Sequence, residues 1–174
     1  LLSRGLGDVY KRQILNNIQK LLKESSINYN QSLIVVDKKV PVNLIKKILA
    51  SLKKKPVIYR FKANEKNKSQ KSVNKILSIL LKANFNRNDC LISVGGGITG
   101  DVSAFAASIF KRGIKFVNVP TTLLSQVDSS IGGKTGINTI SGKNLIGTFY
   151  QPHLVISDIE LSLIHISEPT RQEA

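Results

Sequence analysis

The sequence predicts an α/β fold in which helices flank a mainly parallel sheet, and three observations favour it. Short apolar runs with strand character recur along the chain, at residues 33–36, 57–59, 90–94, 115–119 and 154–157. Stretches with a helical spacing of apolar residues separate several of these runs. A glycine-rich segment, SVGGGITGD at residues 93–101, begins within the third run and continues beyond it. Strands that alternate with helices favour parallel pairing, because each crossover helix returns the chain to the same end of the sheet.

Four stretches carry the helical signal, in which apolar residues recur every three or four positions. They are a first helix within residues 14–22, PVNLIKKILASL at 41–52, SVNKILSILL at 72–81 and DVSAFAASIFKRG at 101–113. Gly113 is predicted to end the last helix, since glycine readily takes the backbone conformation that closes one. The apolar stripes of these helices are interpreted as core.

Length and composition indicate one globular domain. The chain has 174 residues, of which 41% are hydrophobic and 21% charged, and a chain of this size can bury a proper core. No apolar run approaches the roughly 20 residues that a membrane span needs, and no secretory signal pattern opens the sequence. The single cysteine, Cys90, is expected to be a small buried apolar residue. A lone cysteine fits a reducing compartment, so a cytoplasmic location is expected, with no membrane partner.

The formal net charge of +15 raises the alternative of a nucleic-acid binder. The lysines are spread along predicted helices, as in NLIKKILASLKKK, and no recognition motif accompanies them. Basic charge without such a motif is typical of a solvated face. An anionic small molecule therefore accounts better for the charge, and no nucleic-acid partner is expected.

The two ends of the sequence do not continue the pattern of the rest. Residues 1–13 (LLSRGLGDVYKRQ) and 162–174 (SLIHISEPTRQEA) carry no periodicity that joins their neighbours, and both are interpreted as non-native-looking tails. His165 lies in the second of them. Residues 14–161 are predicted to form the α/β domain.

The glycine-rich segment has the spacing Gly95-x-Gly97-x-x-Gly100, which is typical of dinucleotide-binding, Rossmann-like folds. It lies between a predicted strand and a predicted helix, where unpaired backbone N–H groups can accept a pyrophosphate. The acidic residue usually found about 20 positions later is missing. Asp37, at the end of an earlier strand, can take that ribose-binding role from the same sheet edge. The alternative is a glycine-tightened turn with no ligand.

Polar residues continue through PTTLLSQVDSSIGGKTGIN (120–138) and SGKNLIGTFYQP (141–152), which are predicted to be loops. Lys134 and Lys143, flanked by glycine and asparagine, suit phosphate or carboxylate oxygens, although either alone fits an ordinary surface lysine. With Asp128, Asn144 and the glycine loop they are expected to form one polar concavity at the carboxyl edge of the sheet, where open α/β sheets bind ligands.

Residues 95–152 closely resemble the core of the 3-dehydroquinate synthase family, and the resemblance extends over about residues 33–160. The strings VPTTLLSQVDSSIGGKTGIN and GKNLIG are its most specific parts. The resemblance implies conversion of 3-deoxy-arabino-heptulosonate 7-phosphate to 3-dehydroquinate and phosphate in the shikimate pathway. It implies a lyase that uses NAD transiently and a divalent metal, zinc or cobalt, and a homodimer in the full-length enzyme.

The resemblance also implies roles for individual residues. Cofactor contacts are implied for Asp37, Glu65, Lys68, Gly95, Gly96, Gly97, Ile98, Asp101, Thr121, Thr122, Leu124, Asp128, Ser129, Lys134 and Lys143. Substrate contacts are implied for Arg112, Asp128, Lys134 and Asn144, with Asp128 and Lys134 catalytic and Arg112 reaching the neighbouring subunit's substrate phosphate. Asn64 stands where the family usually has glycine, in a turn that asparagine can enter in a left-handed conformation.

The family's metal ligands, one glutamate and two histidines, come from a helical domain that follows this region, and no metal ligands are assigned here. The C-terminal metal-binding domain is therefore expected to be missing, which makes the chain a fragment that is inactive alone. Two alternatives remain open: another sugar-phosphate cyclase, and a stand-alone NAD-binding module.

Overall fold

A five-stranded parallel sheet forms the centre of the protein in a computed structural model, which describes residues 14–128 and 132–157. The strands, in chain order, are β1 (Ser32–Asp37), β2 (Val57–Phe61), β3 (Cys90–Gly95), β4 (Lys115–Pro120), β5 (Ile137–Thr139), β6 (Gly142–Ile146) and β7 (Leu154–Val155). Five of them lie in the order β2-β1-β3-β4-β7 and pair in parallel, while β5 and β6 form a separate antiparallel hairpin. The predicted Rossmann-like, mainly parallel sheet is confirmed.

Helices cover both faces of this sheet. They are α1 (Ile18–Glu24), α2 (Val42–Ala50), α3 (Gln70–Lys82), α4 (Gly97–Ile109) and α5 (Leu123–Asp128), with short 3-10 turns at 14–17, 65–67 and 110–112. The apolar residues of α1 and α2 cluster with Ile34 and Val36 of β1. Those of α3 and α4 cluster with Leu33 and Val35, which point to the opposite face. Because successive strand residues alternate between faces, a strand covered on both sides is apolar throughout.

The strand order reverses between β1 and β3, since β1 leads to β2 on one side and β3 leads to β4 on the other. Val36 pairs with Val94, so the ends of these strands at Asp37 and Gly95 lie side by side. A crevice opens where the order of a parallel sheet reverses in this way, and open α/β sheets bind ligands there. The fold therefore places Asp37 and the glycine loop at one binding crevice.

Helix α4 begins at Gly97, four residues before the predicted start at 101. Gly97 and Gly100 thus belong to the first turn of the helix rather than to a loop, and Gly96 is its N-cap. The low helix propensity of these glycines is overridden because α4 is buried along most of its length, and Val102, Ala106 and Ala107 are fully inaccessible to solvent. The chain after α4 passes through a 3-10 turn that ends at Gly113, close to the predicted end.

The segment predicted as loops at 120–152 contains α5 and the β5–β6 hairpin, so this prediction was wrong in part. Periodicity missed both elements because many of their apolar side chains do not face the core. Leu124 on α5 is 72% exposed and Phe149, just after the hairpin, is 81% exposed. The exposed large apolar residues of this segment are Leu123, Leu124, Val127, Ile140, Leu145, Ile146 and Phe149.

Three further expectations concern location and ends. Among the helices of the described residues, none combines the length and apolar character that crossing a bilayer requires. Cys90 is fully buried, as predicted, and burial raises the pKa of its thiol to about 12. The two predicted tails, residues 1–13 and 162–174, lie outside the described residues, so the domain boundaries stay predictions.

Candidate functional site

A cleft of about 260 Å³ opens at the carboxyl edge of the sheet. The first turns of α4 form one wall, through Gly97, Gly100 and Asp101, and the start of α5 forms another. Lys134 and Thr135 close the cleft from the segment that leads into β5. Of the residues expected to form one polar concavity at this edge, Gly97 and Gly100 of the glycine loop and Lys134 line this cleft.

A second cleft of about 460 Å³ adjoins the first and shares Asp101, Lys134 and Thr135 with it. Its remaining lining comes from the hairpin and the residues after it, including Asn144 and Phe149. Because Asp101 and Lys134 line both clefts, a ligand that fills both would lie against these two residues.

Position 95 has no room for a side chain, so glycine is required there, whereas the space beside Gly97 is open. A Cβ atom on Gly95 would lie 2.8 Å from Cβ of Thr99 and 3.1 Å from Cβ of Asp37. A Cβ atom on Gly97 would meet nothing within 4 Å, and Gly97 lines the first cleft. Bare backbone at the start of a helix, beside an open cleft, can accept a phosphate group on its N–H groups.

A partly buried ion pair links the turn before α3 to α4. Nζ of Lys68 lies 2.5 Å from Oδ2 of Asp101, with side-chain exposures of 9% and 30%. Burial raises the pKa of the Asp101 carboxyl, the ammonium of Lys68 opposes that rise, and Glu65 adds to it. Lys68 also donates to Oδ1 of Asn144 at 2.6 Å. Lys68 thus joins α4 to the hairpin.

The turn that carries Glu65 and Lys68 needs no left-handed residue. Asn64 has an extended backbone, with φ −156°, and its side chain accepts from the N–H of Asn67 at 2.8 Å. Asn64 therefore does not use the left-handed conformation that asparagine tolerates. Asn64 instead caps the 3-10 turn at 65–67, which asparagine does well and glycine, without a side chain, cannot do.

Asp37 is the last residue of β1, and its side chain bonds the backbone of the turn that follows. Its Oδ1 accepts from the N–H of Lys39 at 3.0 Å, and the residue is 8% exposed. Its Cβ atom borders the space that a side chain on Gly95 would need. The geometry therefore keeps Asp37 beside the glycine loop, in agreement with the sequence-based expectation.

The start of α5 borders the glycine loop. The N–H of Thr121 donates to the carbonyl oxygen of Gly95 at 2.9 Å. Oγ1 of Thr122 accepts from the N–H of Ser125 at 3.2 Å, an N-cap of α5. Leu124 lines the first cleft, whereas Ile98 packs against the core beneath α4.

The other predicted residues fall outside the two clefts or outside the described part of the chain. Lys143 is exposed on the hairpin and lines neither cleft. The side chain of Asp128 and the whole of Ser129 lie outside the described residues. Arg112 lies at the opposite, amino edge of β4, in a cleft with Arg87 and His153. The structure therefore does not bring Arg112 to the carboxyl edge of its own chain.

Two further polar residues were missed by sequence reasoning. Asn118 is 4% exposed in the middle of β4, its Oδ1 accepts from the hydroxyl of Ser93 at 2.7 Å, and it lines the first cleft. An asparagine inside an apolar strand was the signal that could have identified it. Asn138 bonds both Glu65 and Asn144, and nothing in its local sequence indicated that.

A divalent metal does not fit the described residues. In residues 14–128 and 132–157, no three histidine, cysteine, aspartate or glutamate side chains come close enough to hold an ion. Zinc and cobalt sites in proteins need such a set.

Comparison with known proteins places this chain in a family. The sequence matches the family described as 3-dehydroquinate synthase N-terminal over residues 58–169. The chain is 71% identical over 157 residues to a 3-dehydroquinate synthase of Pelagibacter ubique, covering 90% of this chain and 43% of that protein. It is 43% identical over 168 residues to one of Prochlorococcus marinus subsp. pastoris, covering 94% of this chain and 46% of that protein. The chain thus spans less than half the length of these relatives.

Solved structures of sugar-phosphate cyclases share the fold. A 2-deoxy-scyllo-inosose synthase in complex with carbaglucose-6-phosphate, NAD+ and Co2+ superposes with a TM-score of 0.82 at 30% identity, covering 94% of this chain and 44% of that one. ValA, a 2-epi-5-epi-valiolone synthase from Streptomyces hygroscopicus subsp. jinggangensis with NAD+ and Zn2+ bound, gives 0.79 at 25% identity, with 92% and 45% covered. The matched region, the sequence identities and the shared fold agree: the chain belongs to the 3-dehydroquinate synthase N-terminal family.

Proposed function

We propose that this chain is the NAD-binding part of a 3-dehydroquinate synthase. The observation that carries the proposal is the open space over Gly97, at the start of α4 and inside the first cleft. The pyrophosphate of NAD would lie on the backbone of Gly95, Gly96, Gly97 and Ile98, with Asp37 toward the adenosine ribose and Thr121, Thr122 and Leu124 toward the nicotinamide.

The charges at the edge support this placement. A pyrophosphate near a bare carboxylate would be repelled, but Lys68 neutralises Asp101 at 2.5 Å. Lys134 reaches the junction of the two clefts, where a phosphorylated sugar acid would lie beside the nicotinamide. Lysine suits this role as a point charge for phosphate or carboxylate oxygens.

The proposed reaction converts 3-deoxy-arabino-heptulosonate 7-phosphate to 3-dehydroquinate and phosphate. When bound, NAD would supply a hydride acceptor that is restored later in the same turnover. The described residues would bind and orient the substrate and the cofactor. Lys134 and Asn144 would hold the substrate, and Glu65 and Lys68 would hold the hairpin beside the first cleft, where NAD would lie. Roles for Asp128, Ser129 and Lys143 rest on the family resemblance alone.

We further propose a homodimer and a cytoplasmic location for the full-length enzyme. Arg112 lies at the amino edge of β4, away from its own cleft, which suits a contact with the substrate phosphate of a second subunit. The lone buried cysteine suits a reducing compartment. A second candidate function, another sugar-phosphate cyclase, is favoured by the TM-score of 0.82 with 2-deoxy-scyllo-inosose synthase.

Calorimetric titration of this chain with NAD tests the cofactor assignment. Gly97→Ala should keep the fold, because its Cβ meets no atom within 4 Å, and should weaken NAD binding about tenfold or more by occupying the pyrophosphate space. Asn74→Ala, on the exposed side of α3, is the matched control. Equal NAD affinity in Gly97→Ala and the unaltered chain would refute the placement.

Turnover needs the full-length protein from the same genome. Phosphate release from 3-deoxy-arabino-heptulosonate 7-phosphate, but not from glucose 6-phosphate, would support 3-dehydroquinate synthase over the other cyclases. Lys134→Ala should abolish most of that release while NAD binding persists. Normal turnover in Lys134→Ala would remove this lysine from the site.

A further inference from the structure

Asn138 occupies an irregular point of the hairpin, next to the two clefts. Ile137 pairs with Ile146 and Thr139 with Gly142, so one residue of β5 lies opposite three residues of β6. Asn144, in the middle of those three, has φ 57°. Such bulges change the direction in which side chains leave a strand and are common beside active sites. Here the bulge turns Asn144 toward Lys68.

Four hydrogen bonds fix Asn138 between the hairpin and the turn at 65–68. Its N–H donates to the carbonyl oxygen of Lys68 at 2.8 Å. Its Nδ2 donates to Oε2 of Glu65 at 2.7 Å and to the carbonyl oxygen of Glu65 at 3.3 Å. Its Oδ1 accepts from the N–H of Asn144 at 3.1 Å. A carboxylate can only accept and an N–H can only donate, so this orientation of the amide satisfies both partners.

We propose that Asn138 is a positioning residue: it holds the β6 bulge on the Glu65–Lys68 turn and thereby sets where Lys68 meets Asp101 and where Asn144 lines the second cleft. The inference rests on the proposed NAD-binding function. Without the Asn138 side chain, only the backbone bond from the Asn138 N–H to Lys68 and the contact between Lys68 and Asn144 at 2.6 Å would remain of these links between the hairpin and the turn. NAD would then have to order the hairpin as it binds, and affinity would fall by that cost.

The charges around Asn138 allow a specific test. Glu65 and Lys68 contact Asn138 from the turn, and Lys68 in turn pairs with Asp101. Two more charged residues are near in sequence: Lys66 in the turn and Lys143 in the hairpin. Asn138→Asp keeps the size and the acceptor but places a second carboxylate against Glu65. Two carboxylates this close raise the pKa of the pair, and one shared proton restores the donor. Asn138→Leu removes donor and acceptor at every pH.

Titration with NAD between roughly pH 5 and pH 8 separates positioning from mere stabilisation. At the alkaline end, both variants should bind NAD about tenfold more weakly than the unaltered chain. Toward the acidic end, Asn138→Asp should recover most of its affinity relative to the unaltered chain, whereas Asn138→Leu should not. Asn74→Asp, which adds the same charge on α3, should match the unaltered chain throughout. Unchanged binding in Asn138→Asp, or a loss that does not recover in acid, would overturn the proposal.

Amide hydrogen exchange on the ligand-free chain keeps this result distinct from a failure of the proposed function. In Asn138→Leu, the N–H of Asn144 loses its acceptor, and its protection factor should fall about tenfold. If the unaltered chain binds no NAD, the cofactor assignment fails, and this exchange measurement decides on Asn138. Equal protection of Asn144 in both proteins would overturn the positioning role.

Discussion

Lys68 and Asp101 are 33 positions apart in the sequence, yet Nζ of Lys68 and Oδ2 of Asp101 lie 2.5 Å apart at the carboxyl edge of the sheet. The pair joins the turn before α3 to the first turns of α4, the element that carries the glycines. Because Lys68 also bonds Asn144, three segments of the site converge on one ammonium group. Both residues were expected to contact the cofactor, and the structure shows that they first contact each other.

Lys68→Met should destabilise the chain, because it leaves the Asp101 carboxylate without its cation. A buried pair that loses one partner costs up to about 5 kcal/mol, and partial exposure of Asp101 reduces this to about 1–3 kcal/mol. The pKa of Asp101, already raised by burial, should rise further. A raised pKa in the folded state means that stability falls as pH rises from the unfolded pKa through the folded one.

Urea unfolding of Lys68→Met and the unaltered chain at two pH values measures this effect. The difference in free energy of unfolding should be larger at neutral pH than in acid below the ordinary carboxyl pKa, where Asp101 is protonated in the folded and the unfolded state. Lys71→Met, an exposed lysine on α3, is the control and should be neutral at both. A difference independent of pH would show that Lys68 acts through packing of its alkyl chain alone.

Gly95→Ala should destabilise the chain by about 1–3 kcal/mol, the usual cost of forcing extra atoms into a packed site. The new methyl would press on Cβ of Thr99 at 2.8 Å and on Cβ of Asp37 at 3.1 Å. Thermal unfolding followed by circular dichroism measures the loss. Gly97→Ala is the matched control and should be as stable as the unaltered chain or more so, since alanine favours a helix. Equal stability of the two variants would contradict the close approach of β3 to α4.

Protonation of His153 should lower the free energy of unfolding of the chain as the pH falls. Its Nδ1 accepts from the N–H of Phe116 at 3.2 Å, and burial, aided by Lys115, lowers the pKa of the imidazole. The unfolded chain then binds the proton more readily, so the stability this group contributes is present above the ordinary histidine pKa and is lost as pH falls through the folded pKa.

A proton NMR titration of the imidazole signals measures that pKa, with His165→Gln used to assign the signal. Lys115→Met should move the pKa of His153 back toward the ordinary value, because one of its two causes is removed. A midpoint at or above that of a free histidine would contradict the prediction.

Gly147→Ala should displace the hairpin. A Cβ atom on Gly147 would overlap the carbonyl oxygen of Thr135 and lie 2.8 Å from Cα of Gly136, so backbone would have to move. The bonds between Thr135 and Thr148 should be lost with it, at about 1 kcal/mol each. Limited proteolysis should then cut residues 132–150 faster, while Ile140→Ala, at the exposed hairpin tip, should leave the rate unchanged. If Gly147→Ala were cut no faster than the unaltered chain, the close approach of Gly147 to Thr135 and Gly136 would be contradicted.

Buried elements could be predicted from the sequence because burial leaves a pattern. β1, β3 and β4 are covered on both faces, so their runs are apolar and their predicted positions agree with the structure to within one residue at each end. The helices α2 and α3 bury one side each and show the matching period. The common edge for Asp37 and the glycine loop followed from the rule that parallel strands end together.

The hairpin and its network could not be predicted in this way. Leu145 and Ile146 face outward, so no alternation marks β6. The bonds of Asn138 and Lys68 depend on a bulge and on contacts between distant segments, which periodicity does not encode. Lys134 was found because glycine flanks it, whereas Lys143 has the same flank and lines neither cleft. Local composition indicated the chemistry of the edge but not which lysine faces it.

The exposed apolar side chains of residues 123–149, taken with the net charge of +15, determine how salt acts on this chain in solution. At low ionic strength, copies repel one another over a Debye length of about 30 Å at 0.01 M, which shrinks to about 8 Å at 0.15 M. Attraction between apolar surfaces is not screened in this way. Dilute buffer should therefore keep the chain monomeric, and added salt should drive its self-association, so its colloidal behaviour is opposite to that of proteins which need salt to dissolve.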